Sequence, residues 1–150
     1  MKFHFIWIGK TKSKHWLALQ NEYLKRLKYF VKLSVTELKD GKNTDTIEVE
    51  GNRILEKVNQ SSLICALDIS GMQLSSKEIS DKIENWQNTG KKEITFIIGG
   101  ANGLSSAVVK KADFRLSLSI LTFTHDMARV ILLEQLYRGY TILKGFPYQK

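Results

Sequence analysis

Three short runs set the tightest limit on what this chain folds into: KFHFIWIG at 2–9, SLICALDI at 62–69 and EITFIIG at 93–99. Each is apolar at consecutive positions, not at alternate ones. Seven or eight residues is strand length, and a strand apolar on both faces must be covered on both faces. Helical crossovers supply that cover in parallel sheets. Amphipathic segments lie between the runs where such crossovers should be. Residues 13–30 place Trp16, Leu17, Tyr23, Leu24 and Leu27 at helical spacing among lysines, and 46–59 carry Ile47, Ile54, Leu55 and Val58 as a stripe. Ser75 followed by Glu78 is a capping-box signature for a helix with Ile79, Ile83 and Trp86 on one face, ending near Gly90. A short helix begins near Ser105 and a long one spans 125–143. VKLSVTEL at 31–38 and FRLSLS at 114–119 complete a set of five strands, with a polar loop at 39–45. The fold class is α/β, a mostly parallel sheet flanked by helices.

The chain has 150 residues, the size of one domain with a sizeable core. No apolar run approaches the roughly 20 residues of a membrane helix. The N-terminal apolar run is short, is broken by His4 and lacks a small-residue cleavage site, so it reads as a first strand and not a signal peptide. Cys65, the single cysteine, cannot form an internal disulfide, reads as a buried thiol and fits a cytoplasmic protein. Three scattered histidines and one cysteine make no metal set. Lys and Arg outnumber Asp and Glu by 23 to 15, a net +8 that suits a polyanionic partner as well as plain solubility. The basic residues gather at Lys10, Lys12 and Lys14, at Lys25, Arg26, Lys28 and Lys32, and near the end at Arg129, Arg138, Lys144 and Lys150.

Ligands of open parallel sheets bind beyond the carboxyl ends of the strands. Three such ends stand out: LDISG with Leu67 and Asp68, IIGGANG with Gly99, Gly100 and Gly103, and LSILTFTHD at 118–126. The glycine turn lacks the lysine of a phosphate-binding loop and the spacing of the dinucleotide fingerprint. On its residues alone it is either a place where backbone approaches a ligand or a tight corner. His4 reads as a satisfied core or edge residue and His15 as surface. His125 sits between Thr124, which can cap the last helix, and Asp126, which suits its first turn. That helix is apolar over most of its circumference yet carries Arg129, Glu134 and Arg138. It is either a core helix with an internal ion pair or one that also packs on a second subunit.

Taken together, IIGGANGLS, LDISG and LSILTFTHDMARVILLEQLYRGYTILKGFPY resemble the small bacterial methyltransferases of the RlmH type, minimal members of the SPOUT class, and the resemblance covers the whole chain. It implies a single SPOUT (alpha/beta-knot) domain over 1–150 with a C-terminal trefoil knot. It implies a pocket for S-adenosylmethionine lined by Leu67, Gly99, Leu118, Ser119, Ile120, Leu121, Thr122 and Phe123. The implied unit is a homodimer, with the pocket of one subunit near the tail of the other. The implied substrate is 23S ribosomal RNA in the ribosome, methylated at N3 of a pseudouridine, with no metal and no membrane. His125, Arg129, Glu134, Arg138 and Tyr148 are the active-site candidates it points to. Many relatives end in Tyr-His and a basic residue; here the end is Tyr148, Gln149 and Lys150, and a glutamine cannot serve as a general base. The competing expectations are an rRNA-binding assembly module without transfer activity and a SPOUT enzyme acting on tRNA.

Overall fold

The computed structural model of the chain describes residues 1–41 and 44–149, the last without its side chain. Lys42 and Asn43 of the polar loop, Lys150 and the Gln149 side chain lie outside the described residues. The elements alternate: β1 (Lys2–Ile8), α1 (Lys14–Leu27), β2 (Lys32–Leu38), α2 (Ile47–Lys57), β3 (Leu63–Gln73), α3 (Ser76–Asn88), β4 (Glu93–Ile98), α4 (Ser106–Lys111), β5 (Phe114–Ser117) and α5 (His125–Leu143). The five strands form one sheet in the order β2-β1-β4-β3-β5, and every pairing is parallel.

Strand β1 shows why its run is apolar throughout. Phe3, Phe5 and Trp7 join one core, with Leu27 of α1, Ile79, Ile83 and Trp86 of α3 and Leu132, Leu133 and Leu136 of α5. Ile6 and Ile8 point the other way into a second core with Ile54 of α2 and Val108 of α4. The molecule is therefore three layers, with α1, α3 and α5 on one face and α2 and α4 on the other. Ser75 accepts from the Glu78 backbone N–H, and the Glu78 side chain accepts from the Ser75 N–H, so the capping box is real.

Two local readings are corrected. Leu17 is 39% exposed, and the side chain that turns inward on that part of α1 is Gln20, which accepts from the Thr11 hydroxyl at 2.6 Å. A buried amide with a partner outcompetes an apolar residue where the neighbouring loop offers a hydroxyl. Strand β3 does not stop at Ile69 but continues to Gln73 through an irregularity that moves its β5 pairing from Leu67 to Met72. Gly71 permits this, because a Cβ there would stand 2.7 Å from the Arg115 backbone. Helix α5 lies on the sheet and packs against both α1 and α3. Gly139 takes α5 close enough to α3 for the Ser80 hydroxyl to donate to its carbonyl at 2.8 Å.

His4 is buried, with Nε2 2.8 Å from the Thr36 hydroxyl and Nδ1 3.6 Å from Glu93. Burial, reinforced by the nearby Lys2 ammonium, holds its imidazole below the usual 6.5, and Glu93 offsets this only in part. Between the two values the unfolded chain binds a proton that the folded chain refuses. Stability is thus full above about pH 6.5 and is lost as pH falls through that value toward the lower folded one. Urea unfolding at about pH 7.5 and about pH 5.5 should show the loss, and His4→Gln should flatten it. An equal loss in the variant would assign the effect to another group.

Candidate functional site

The carboxyl ends of β4 and β5 meet the register break of β3 at one cleft of about 310 Å³. Its walls are that break (Leu67, Asp68, Ile69), the turn after β4 (Gly99, Gly100, Gly103) and the loop after β5. The first turn of α5 closes it with His125 and Ala128. Of the residues expected to line a pocket, Leu67, Gly99, Leu118, Ser119, Leu121, Thr122 and Phe123 do so. Ile120 is 79% exposed and is not among the lining residues. The loop is pinned by its own serines. Ser117 donates to the Ser119 carbonyl, and the Ser119 hydroxyl accepts from the Leu121 N–H, both at 3.0 Å.

The glycine turn has a use that its spacing did not disclose. Gly103 donates to the Gly100 carbonyl at 3.0 Å, closing the turn, and has φ +79°. A Cβ on Gly99 would lie 2.6 Å from the Gly103 oxygen and 2.8 Å from Leu104. The absent side chain at Gly99 makes room for the turn itself. Glu50 of α2 accepts from the Gly100 N–H at 3.1 Å and anchors the turn from behind. Gly51 lets α2 approach α4, since a Cβ there would overlap Ser105, the residue whose side chain caps α4. Glu50 and Gly51 went unread in the sequence because both act across about 50 residues, with no local signature. Asp68, whose carboxylate accepts from the Ser70 N–H and from Arg115, was legible in LDISG only as a strand-end acid.

The five other candidates fall into separate groups. Thr124 caps α5 by accepting from the Met127 N–H, which leaves His125 in the first turn at the cleft. Arg129 is 1% exposed. It donates to the Ile8 carbonyl and, at 3.0 Å, to the Thr11 hydroxyl, and it lies 5.0 Å from the Trp7 ring centre. Burial lowers its pKa from the ordinary arginine value, and Asp126, 3.8 Å away, opposes that shift.

Glu134, Arg138 and Tyr148 form a third group. The Arg138 Nε and the Tyr148 hydroxyl donate to one Glu134 oxygen at 2.9 and 3.1 Å, and Gln135 donates to the other at 2.7 Å. The Tyr148 hydroxyl also lies 3.2 Å from that of Tyr23, and its ring lies under Arg138 at 4.9 Å. Burial, helped by Tyr23 and Glu134, pushes the Tyr148 hydroxyl above the usual tyrosine range, so it is a hydrogen-bond donor and not a base at neutral pH. Thirteen residues of helix separate His125 from Arg138, roughly 20 Å at 1.5 Å per residue. One copy of the chain does not bring these groups to one reacting atom.

Among the described residues no group of three His, Cys, Asp or Glu side chains could hold a metal ion, and no helix is long and apolar enough to cross a membrane. Cys65 is fully buried, and burial pushes its thiol well above the usual range, which leaves it inert.

A family model described as "Predicted SPOUT methyltransferase" matches residues 1–149. The chain is 41% identical to ribosomal RNA large subunit methyltransferase H of Clostridium kluyveri and 40% identical to that of Enterococcus faecalis, over the whole length of both partners in each case. It also resembles the structure of a probable methylase family protein from Haemophilus influenzae, with a TM-score of 0.58 and 10% identity over 99% of this chain and 70% of that one, a likeness of fold.

Proposed function

The chain belongs to the SPOUT methyltransferase family and is a transferase. From that premise we propose that it transfers the methyl group of S-adenosylmethionine to N3 of a pseudouridine in 23S rRNA, in the cytoplasm and on the ribosome. The observation that carries the reading is the convergence of two strand ends and the register break of β3 on one cleft of about 310 Å³, within the size range of small-molecule sites.

The residues present fit the cofactor. Leu67, Leu118 and Phe123 offer apolar surface for an adenine ring, and space for a Cβ is open at Gly103, so nothing projects from the turn there. When bound, S-adenosylmethionine supplies an activated methyl on a sulfonium. The chain's residues orient the partners, hold water out and shape the local field. His125 borders the cleft where the acceptor must approach. Glu134 fixes Arg138 and Tyr148 as a cation and an O–H donor. These sit too far along α5 to serve the cleft of their own chain, which supports a homodimer in which the tail of one protomer attends the cleft of the other. The C-terminal trefoil knot belongs to the same proposal. So does a +8 charge that binds rRNA phosphates without reading sequence.

Ala128→Trp tests the cleft without disturbing the turn, since Ala128 lines it from α5. In calorimetric titration with S-adenosylhomocysteine, the unaltered chain is expected to bind saturably as a dimer. The variant is expected to lose about 100-fold or more in affinity, with an unchanged circular dichroism spectrum. Wild-type affinity in the folded variant would place the cofactor elsewhere. A well-folded, unaltered chain that does not bind would refute the enzyme reading.

A further inference from the structure

The basic group Lys25, Lys28 and Lys32 has no part in the reaction derived above. Lys32 opens β2, the outermost strand, level with Lys2 of β1, which is in turn level with Glu93 of β4. These are the amino ends of the strands, whereas the cofactor cleft lies at carboxyl ends. Strand β2 has 7 residues, so about 20 Å separates the two ends of the sheet. Lys25 and Lys28, at the end of α1, line a groove of about 340 Å³ between that helix and β2. All three lysines are exposed, and none has an ion-pair partner among the described residues. The nearby acids are engaged elsewhere: Glu22 pairs with Arg26 at 2.7 Å and Glu93 with Lys2 at 3.4 Å. No carboxylate lines the groove; Asn21 completes its helical wall, and Leu33, Ser34 and Val35 form its strand wall.

A lysine on an edge strand can serve simply to deter pairing with another chain. That accounts for Lys32, but not for Lys25 and Lys28 on the helix, nor for Tyr29 beside them. Tyr29 is 82% exposed in the turn from α1 to β2, and its ring touches no other ring or cation among the described residues. Its neighbour Phe30 stacks on Tyr140 at 5.0 Å, so the turn is anchored by one aromatic side chain while the next is presented to solvent. An exposed ring among unpaired lysines matches a single-stranded nucleic acid, whose phosphates take the ammonium groups and whose bases take the ring. An acidic protein surface would use the lysines and leave the ring without a partner.

We propose that Lys25, Lys28, Tyr29 and Lys32 form a second RNA contact at the amino end of the sheet, which grips a single-stranded stretch of the ribosomal RNA about 20 Å from the cofactor cleft. The inference rests on the rRNA methyltransferase reading above and adds a binding surface remote from the chemistry. The lysines hold phosphates, and Tyr29 stacks a base without reading its identity. A contact this far from the reacting atoms stabilises ground state and transition state alike, so it acts on KM and leaves kcat unchanged.

The test compares the full chain with Tyr29→Ala, Tyr29→Phe and a triple variant carrying Lys25→Ala, Lys28→Ala and Lys32→Ala, on large ribosomal subunits lacking the modification. The triple variant is expected to raise KM about tenfold or more, with kcat and S-adenosylhomocysteine affinity within about twofold of the parent. The slope of its log affinity for the subunits against log salt should be shallower by about 2. Tyr29→Ala should raise KM about fivefold or more, and Tyr29→Phe, which keeps the ring, should return it to the parent value. In an amide NMR titration of the unaltered chain, a single-stranded RNA of about 12 nucleotides is expected to shift Lys25, Lys28, Tyr29 and Lys32. Polyglutamate of the same length should shift them much less. Parent KM in either the triple variant or Tyr29→Ala overturns the inference, as does a phenylalanine variant as impaired as the alanine one. So do shifts that polyglutamate reproduces, which would make this a surface for acidic protein. Absence of methyl transfer by the unaltered chain would instead strike the methyltransferase reading, and the RNA titration would still decide for or against this surface.

Discussion

Arg129→Ala is expected to lower the free energy of unfolding by about 3–5 kcal/mol. The guanidinium joins three parts of the chain. It donates to the last carbonyl of β1 at Ile8 and to Thr11 in the loop that follows, and Thr11 donates on to Gln20 of α1. Truncation orphans the Ile8 carbonyl, empties the space over Trp7 and removes the tie between α5 and the β1–α1 loop. Arg129→Met separates these terms. It refills the volume and relieves the burial of a charge, yet leaves the carbonyl unpaired, and at least half of the loss should return. Urea unfolding of both variants measures this. An alanine variant within about 1 kcal/mol of the parent would show that the guanidinium is free to leave its site at little cost.

Gly99→Val should abolish cofactor binding, by about 100-fold or more, through collapse of the turn and not by filling the cleft. Its Cβ would press on the Gly103 carbonyl, which is backbone and can yield only by opening the turn closed by the Gly100–Gly103 hydrogen bond, and on the Leu104 side chain. Gly100→Ala is the informative neighbour. Its Cβ meets only the Glu50 carboxylate, at 3.0 Å, the far end of a flexible side chain. That variant should bind within a few fold of the parent. Calorimetry with S-adenosylhomocysteine and hydrogen exchange at residues 99–104 distinguish the two causes. A valine variant with normal exchange protection and lost binding would restore the view that Gly99 makes room for the ligand.

These outcomes mark how far the sequence could be read. Phe3, Phe5 and Trp7 alternating with Ile6 and Ile8 announce a strand with two covered faces, because periodicity is a local property of the chain. Ser75 and Glu78 announce a cap for the same reason. Leu67, Gly99 and the 118–123 loop were legible as strand ends that a parallel sheet gathers on one side. The sheet order was not legible, since nothing near β4 says that it inserts between β1 and β3. Gln20 turning inward in place of Leu17 was hidden too, because it depends on a hydroxyl nine residues away. Glu50, Gly51 and the tie from Arg129 to Ile8 are contacts between distant segments, and only the assembled fold brings them together. The separation of His125 from Arg138 was implicit in helix geometry, but it acquires meaning only once both ends have neighbours.

The insertion of β4 beside β1 bears on how the chain comes into being. Lys2 pairs with Lys32 on one side but with Glu93 on the other, about 90 residues later. Until β4 has been synthesised, the inner edge of the first strand has no hydrogen-bonding partner, and the face carrying Phe3, Phe5 and Trp7 still awaits α3 and α5. Pairings this distant in sequence close slowly, after the entropy of a long loop has been spent. The nascent protein therefore carries FHFIWI unpaired on one edge and uncovered on one face until β4 and α5 have followed it out of the ribosome. Its yield in a cell is set by what shields those six residues during that interval.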